Sequence, residues 1–128
     1  MLADVVTNRV PEWRLQSAIV VDLDQWIRDG APFAYAAGLE GVPLTPKKRG
    51  EMRRQGMQAG EPDLRFYLSR SRLILIELKA DGGSVSKDQK ARHALLRSLG
   101  FVVHVVKAKT EAEAIAAVRA IIGPELYS

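Results

Sequence analysis

The chain has 128 residues, 47% of them hydrophobic and 27% charged, a make-up expected of one soluble globular domain spanning 1–128 with its own core. It contains no cysteine, no apolar run of about eighteen residues and no signal-peptide pattern at its start. These features exclude a disulfide scaffold and a thiolate zinc site, and lead us to expect a cytoplasmic protein that neither crosses a membrane nor is secreted. A net charge of +4 with a pI near 9.6 suits a polyanionic partner and an ordinary basic domain equally.

Residues 11–29 carry apolar side chains at helical spacing, with Leu15, Ile19, Leu23 and Trp26/Ile27 on one stripe, Pro11 in the first turn and Gly30 as the stop. Glu12 lies on that stripe, three residues before Leu15, and therefore points toward whatever the helix packs on. Two roles are open to it: partner of the helix dipole, or part of a metal site. Residues 31–46 are rich in Gly, Ala and Pro, and 32–37 read as a short strand ending at Gly38. Thr45 caps a further helix with Pro46 at its first position, expected to run to Met57 and to end before Gly60. Lys47, Lys48, Arg49, Arg53 and Arg54 place five basic residues in eight positions of it. Such a run is either a solvated face or, lying just before the motif described next, a phosphate-contacting surface.

Glu61-Pro62-Asp63 is followed, fourteen residues after Asp63, by Glu77-Leu78-Lys79 at the end of the apolar run Leu73-Ile74-Leu75-Ile76. In a strand Glu77 and Lys79 share one face while Ile76 and Leu78 share the other. Residues 63–68 alternate as well, and 69–72 read as the turn of a hairpin. Asp63 meets Glu77 only if it opposes an odd-numbered residue. A four-residue loop closing Leu68 onto Leu73 would set it against Leu78, on the wrong face, so a three- or five-residue turn or a bulge is expected. An isolated Glu-x-Lys is most often a solvated pair on an edge strand. Here the preceding run has the length and composition of a central strand, and Pro-Asp lies one hairpin upstream, which favours a site. Two carboxylates beside the Leu78 carbonyl make a hard oxygen site, suited to magnesium or manganese more than to zinc.

Asp81-Gly82-Gly83 is a loop, and Ser86-Lys87-Asp88-Gln89 has the capping-box spacing that opens a helix to Leu99, stopped by Gly100. Residues 101–106 form a second apolar strand, expected to run parallel to the first through a right-handed crossover. Thr110-Glu111-Ala112-Glu113 is another capping box, opening a last helix to Gly123-Pro124. Gln89 is explained by the box alone, yet its amide could equally reach an attacking water or a phosphate. His93 and His104 have no partner at metal-ligand spacing and are read as structural or surface residues.

Taken in order, these elements resemble the PD-(D/E)xK restriction-endonuclease-like superfamily, and more narrowly a small stand-alone virus-type replication-repair nuclease (VRR-NUC) domain. The resemblance rests on residues 56–64 (Gly-Met-Gln-Ala-Gly-Glu-Pro-Asp-Leu), Ile76-Glu77-Leu78-Lys79, Gly82-Gly83, Ser86-Lys87-Asp88-Gln89 and Leu99-Gly100, and extends over about residues 12–106. It implies an α/β fold with a restriction-endonuclease-like core, a mixed central sheet flanked by helices. It also implies that Asp63 and Glu77 hold a metal with the Leu78 carbonyl, that Lys79 serves the nucleophilic water, and that Glu12 and Gln89 match the first-helix carboxylate and an additional motif residue. The chain departs from the family at Gly38-Leu39-Glu40-Gly41, where Leu39 replaces a common Asn, and no role is carried over to Glu40.

The function implied is that of a magnesium-dependent DNA endonuclease, with manganese able to substitute, whose phosphate contacts come from Lys47, Lys48, Arg49, Arg53, Arg54, Lys87 and Lys90. Stand-alone members resemble dimeric Holliday-junction resolvases, which favours branched DNA as substrate. Two nicks from a one-site chain then require a homodimer, with Phe33, Tyr35 and the ends of the first and last helices as spare apolar surface. The alternatives are a monomeric flap or nicking nuclease, a catalytically silent DNA-binding module, for which loss of Asp63, Glu77 or Lys79 would be expected, and a metal-independent structural protein.

Overall fold

Strand β3 (Arg72–Ala80) is buried without interruption from Ile74 to Lys79, because it has neighbours on both edges and packed side chains over both faces. The computed structural model describes residues 9–38 and 44–128, and the Leu39-Glu40-Gly41 departure lies outside the described residues. On one edge β3 pairs antiparallel with β2 (Leu64–Leu68), which pairs antiparallel with β1 (Ala34–Ala37); on the other it runs parallel to β4 (Val102–Ala108). The result is a four-stranded mixed sheet of order β1-β2-β3-β4.

Alternation divides the sheet chemically. Leu64, Phe66, Leu68, Ile74, Ile76 and Leu78 form the main core with Leu15, Ile19 and Leu23 of α1 (Glu12–Arg28). Ala114, Val118 and Ile122 of the last helix, which spans Glu111–Ile122, complete that core. On the opposite face Leu73, Leu75 and Val103 pack on Leu96 of the crossover helix that joins β3 to β4. The two helices on the main-core side are tied by Arg119, whose guanidinium bonds Asp22 at 2.8 Å and lies 4.4 Å from the Trp26 ring.

The hairpin has the required parity. Leu68 pairs with Arg72 across a three-residue loop in which Arg70 and Ser71 take left-handed backbone angles, φ 61 and 57. Extending the register one step beyond Leu64↔Ile76 sets Asp63 across from Glu77. The basic helix α2 (Pro46–Arg54) is capped as expected by Thr45, whose hydroxyl accepts the Lys48 N–H at 3.1 Å. It ends three residues short of Met57, because the chain turns at Gln55 and Gly56 into bonds back to Glu51, Met52 and Arg53. The crossover helix α3 (Lys87–Ser98) has the full Ser86/Gln89 capping box. Before α4 (Glu111–Ile122) only half a box forms: Thr110 accepts the Glu113 N–H, but the Glu113 carboxylate accepts from Lys109 N–H at 2.9 Å instead. β4 starts one residue later than expected and continues to Ala108, since parallel pairing persists to Ala80↔Ala108.

Phe33 and Tyr35 are not spare surface. Phe33 packs edge-on to Trp26 at 5.3 Å and against Phe66 at 6.1 Å, and the Tyr35 hydroxyl donates to Asp24 at 2.6 Å. The ends of the first and last helices do expose apolar surface, at Trp13 and at Tyr127, and among the described residues further exposed apolar side chains include Leu95 of α3, its cap Leu99, Phe101, and Val102 and Val105 of β4.

Gly60 sets how closely the Pro-Asp loop approaches α3. Its φ is +79, and a Cβ there would overlap the Asp88 carbonyl and lie 2.8 Å from the Gln89 nitrogen. Gly56 has φ +104 with nothing within 4 Å. Gly60→Ala should therefore destabilise the protein by about 2–4 kcal/mol, the sum of backbone strain and overpacking, and Gly56→Ala by about 1–2 kcal/mol from strain alone. Equal losses in chemical denaturation would contradict the close packing.

Candidate active site

Glu77 and Lys79 are in phase with Leu73 and Leu75 and so leave β3 on the face away from the main core. Asp63 stands immediately before β2, where its Oδ2 accepts the Leu78 backbone N–H at 2.6 Å, a buried charge-assisted bond that fixes the carboxylate beside Glu77. Glu12, the first residue of α1, reaches the same place: one carboxylate oxygen each from Glu12, Asp63 and Glu77 lie within 4.8 Å of one another. The Lys79 ammonium is 4.0 Å from Glu77 Oε2. Asp63, Glu77 and Lys79 are all buried, Glu77 with 0% exposure. The Leu78 side chain belongs to the main core.

Helix α3 closes the site. Gln89 completes the capping box, its Oε1 accepting the Ser86 N–H at 2.9 Å, and its Nε2 donates to a partner that was not expected, Glu77 Oε2, at 3.1 Å. One turn later lies a residue that sequence reasoning set aside. His93 is buried, and its Nε2 is 3.2 Å from Glu77 Oε1. The signal available was the four-residue spacing from Gln89, which puts both side chains on one helix face. His104, half-buried on β4 opposite Ile76 in register, lines a separate cleft with Arg72 and Ile121. Arg92 of α3 binds Glu61 at 2.8 Å, and Arg65 of β2 lies 3.8 Å from the same carboxylate. These three line a cleft of about 410 Å³ with Met52, Gln55 and Gln58, so the end of α2 borders the Pro-Asp segment. Lys47, Lys48, Arg49, Arg53 and Arg54 are exposed on α2, with Lys48 paired to Glu51 at 3.6 Å, and Lys87 and Lys90 are exposed on α3. Lys107, also exposed, is the direct register partner of Lys79, a neighbour that becomes visible only once the parallel pairing is known.

Three carboxylates around one ammonium leave the cluster short of positive charge. Burial, then crowding against Asp63 and Glu12, pushes the Glu77 carboxyl up to about 9, with Lys79 only partly offsetting the effect. Burial, followed by the Asp63 charge, raises Glu12 as well. His93 is held below the ordinary imidazole value, first by burial and then by Arg97. A buried, all-oxygen, under-compensated set of this kind fits a hard divalent cation, and in the absence of one it retains a proton.

A family model described as the VRR-NUC domain matches residues 45–110, just over half of the chain. A solved VRR_NUC domain protein is similar in structure, with a TM-score of 0.57 at 21% identity over 90% of each chain, a likeness that concerns the fold. No curated protein matches. The chain belongs to the VRR-NUC family, and its domain is a nuclease domain. The matched segment holds Asp63, Glu77, Lys79, Gln89 and His93, while Glu12 comes from outside it.

The raised Glu77 carboxyl has a measurable sign. Between its ordinary value of 4.5 and about 9 the folded chain keeps a proton that the unfolded chain has released. The stability carried by that proton is complete below the lower value and is lost as pH rises through the upper one. In a chelating buffer, unfolding temperatures of wild type minus Glu77→Gln should thus fall steadily from pH about 5 to pH about 9. A pH-independent difference would contradict the assignment.

Proposed function

We propose that this nuclease is a magnesium-dependent DNA endonuclease that acts on branched or four-way-junction DNA as a homodimer. The observation that carries the reading is the convergence of Glu12, Asp63 and Glu77 within 4.8 Å beside the buried Lys79. Those carboxylates, with the Leu78 carbonyl, would hold the ion. A divalent cation held there would supply charge neutralisation at the phosphodiester and a lowered pKa for the attacking water. The protein supplies position. Asp63 is held by the Leu78 N–H and cannot swing away, Glu77 is fixed from α3, and the Lys79 ammonium orients the attacking water and steadies the developing negative charge. Manganese, with the same oxygen preference, should substitute for magnesium.

The exposed cations of α2 and the start of α3 serve as phosphate contacts. They carry no base information, which suits a substrate recognised by its shape. Coordinated cutting of two strands needs two sites related by a two-fold axis, and the exposed apolar residues of α3 and β4 supply a surface for self-association.

The decisive test is incubation with linear, flap and four-way-junction DNA, with and without magnesium. Asp63→Asn and Glu77→Gln should lower cleavage by more than the roughly 10–100-fold typical of a metal site's outer partners, while leaving fold and DNA binding largely intact. Lys79→Ala should lose most activity and keep magnesium affinity. Light scattering should give about twice the 14.1 kDa chain mass. Wild-type activity in both carboxylate variants would sink the site. A monomer that cuts flaps but leaves junctions intact would replace the resolvase reading with that of a flap or nicking nuclease.

Replacing Lys47, Lys48 and Arg49 with Ala should weaken binding to all DNA sequences alike and flatten the slope of log affinity against log salt by about 0.9 for each phosphate that these side chains neutralise. An unchanged slope would make α2 a solvated face.

A further inference from the structure

His93 takes no part in the reaction as described above, yet it is 1% exposed and turned toward a carboxylate that is itself 0% exposed. Core packing does not account for an imidazole there. The contact between α3 and the sheet is made by Leu96 against Leu75 and Val103, and an apolar side chain at position 93 would extend it without the cost of burying a polar ring. What an imidazole adds is a donor. With the proton on Nε2 it donates to Glu77 Oε1 at 3.2 Å, while the Gln89 amide donates to Oε2 at 3.1 Å. Each Glu77 oxygen thus receives one bond from α3, from residues one helical turn apart. The remaining lone pairs are left for the side occupied by Asp63, Glu12 and Lys79. Gln89 is itself immobilised, because its Oε1 is committed to the Ser86 N–H, and Ser86 caps the same helix.

We propose that His93 is a positioning residue for the nuclease: with Gln89 it clamps both oxygens of Glu77, so that the carboxylate meets a divalent cation in one fixed orientation. This rests on the reading of the site as a cation-dependent nuclease centre. A carboxylate gripped at one oxygen only is free to turn toward Lys79, 4.0 Å away, and to give up its place beside Asp63. The clamp acts through Glu77 and makes no contact with DNA, so its loss should appear in cation affinity and turnover and not in substrate binding.

The test compares His93→Leu, which keeps apolar volume and loses the donor, with His93→Gln, whose Nε2 restores a donor near the imidazole position. Manganese binding is measured by calorimetry, unfolding by heat, and cleavage as kcat and KM separately. His93→Leu should bind manganese about 10–100-fold more weakly, in the range found for outer partners of metal sites, and lose kcat with KM for DNA unchanged and no fall in unfolding temperature. His93→Gln should recover most of both. Combining His93→Leu with Gln89→Leu should cost less than the sum of the two single losses, since both act on one carboxylate. Should His93→Leu fail to fold, His93→Asn, whose shorter amide falls short of Glu77, replaces it in the comparison. Wild-type manganese affinity in His93→Leu, or equal impairment of His93→Gln and His93→Leu, would overturn the clamp while inactive Glu77→Gln left the nuclease site standing. A wild-type chain that neither binds manganese nor cuts DNA would overturn both.

Discussion

A carboxylate with no exposed surface, on the most buried strand of the sheet, is the constraint around which this molecule is arranged. An ionised Glu77 alone in that position would be prohibitively costly, and its carboxyl is accordingly pushed up to about 9. Gln89 and His93 bond one oxygen each, Lys79 stands 4.0 Å away, and Asp63 and Glu12 crowd the remaining side. The partners on α3 are donors, while on the open side two carboxylates outnumber the Lys79 ammonium. The site is therefore hydrogen-bonded from the helix and left electron-rich toward its mouth, which is the polarity a cation requires.

Several features that look local follow from holding that carboxylate. The three-residue hairpin loop, with two residues in left-handed conformation, sets the parity that brings Asp63 opposite Glu77. Gly60 lets the Pro-Asp loop touch the first turn of α3, and Arg92 of α3 binds Glu61 two residues before Asp63. The capping box that starts α3 also aims the Gln89 amide. One face of the sheet is an apolar core shared with α1 and α4, and the other passes from apolar at Leu73 and Leu75 to ionic at Glu77 and Lys79. A single strand is thereby apolar at one end and ionic at the other.

What was legible in the sequence was local or periodic. The order of strands and helices, the Thr45 and Ser86 caps and the parallel crossover all follow from period and capping chemistry, and the parity of the hairpin follows from alternation. His93 escaped because its partner lies sixteen residues away on another element, and metal-ligand spacing was the wrong template; a shared face with Gln89 was the better one. The end of α2 escaped because Gly60 was taken as the stop, whereas Gly56, in the left-handed region just past the Gln55 cap, ends the helix with the Met57 N–H bonded back to the Met52 carbonyl. Phe33 and Tyr35 were misjudged as surface because aromatic residues in a Gly- and Pro-rich stretch give no periodicity, and only the folded chain brings them to Trp26, Phe66 and Asp24. For Glu113 the choice between two adjacent backbone N–H groups is a matter of a few ångströms that spacing does not encode.

The central claim is that the buried carboxylates exchange a retained proton for a divalent cation. Calorimetric titration of the metal-free protein with magnesium near neutral pH, repeated in buffers of different ionisation enthalpy, measures that exchange directly. Because Glu77 is pushed up to about 9, binding should release protons to the buffer, and the release should disappear in Glu77→Gln. Magnesium binding with no proton release, or release unchanged in Glu77→Gln, would contradict the account.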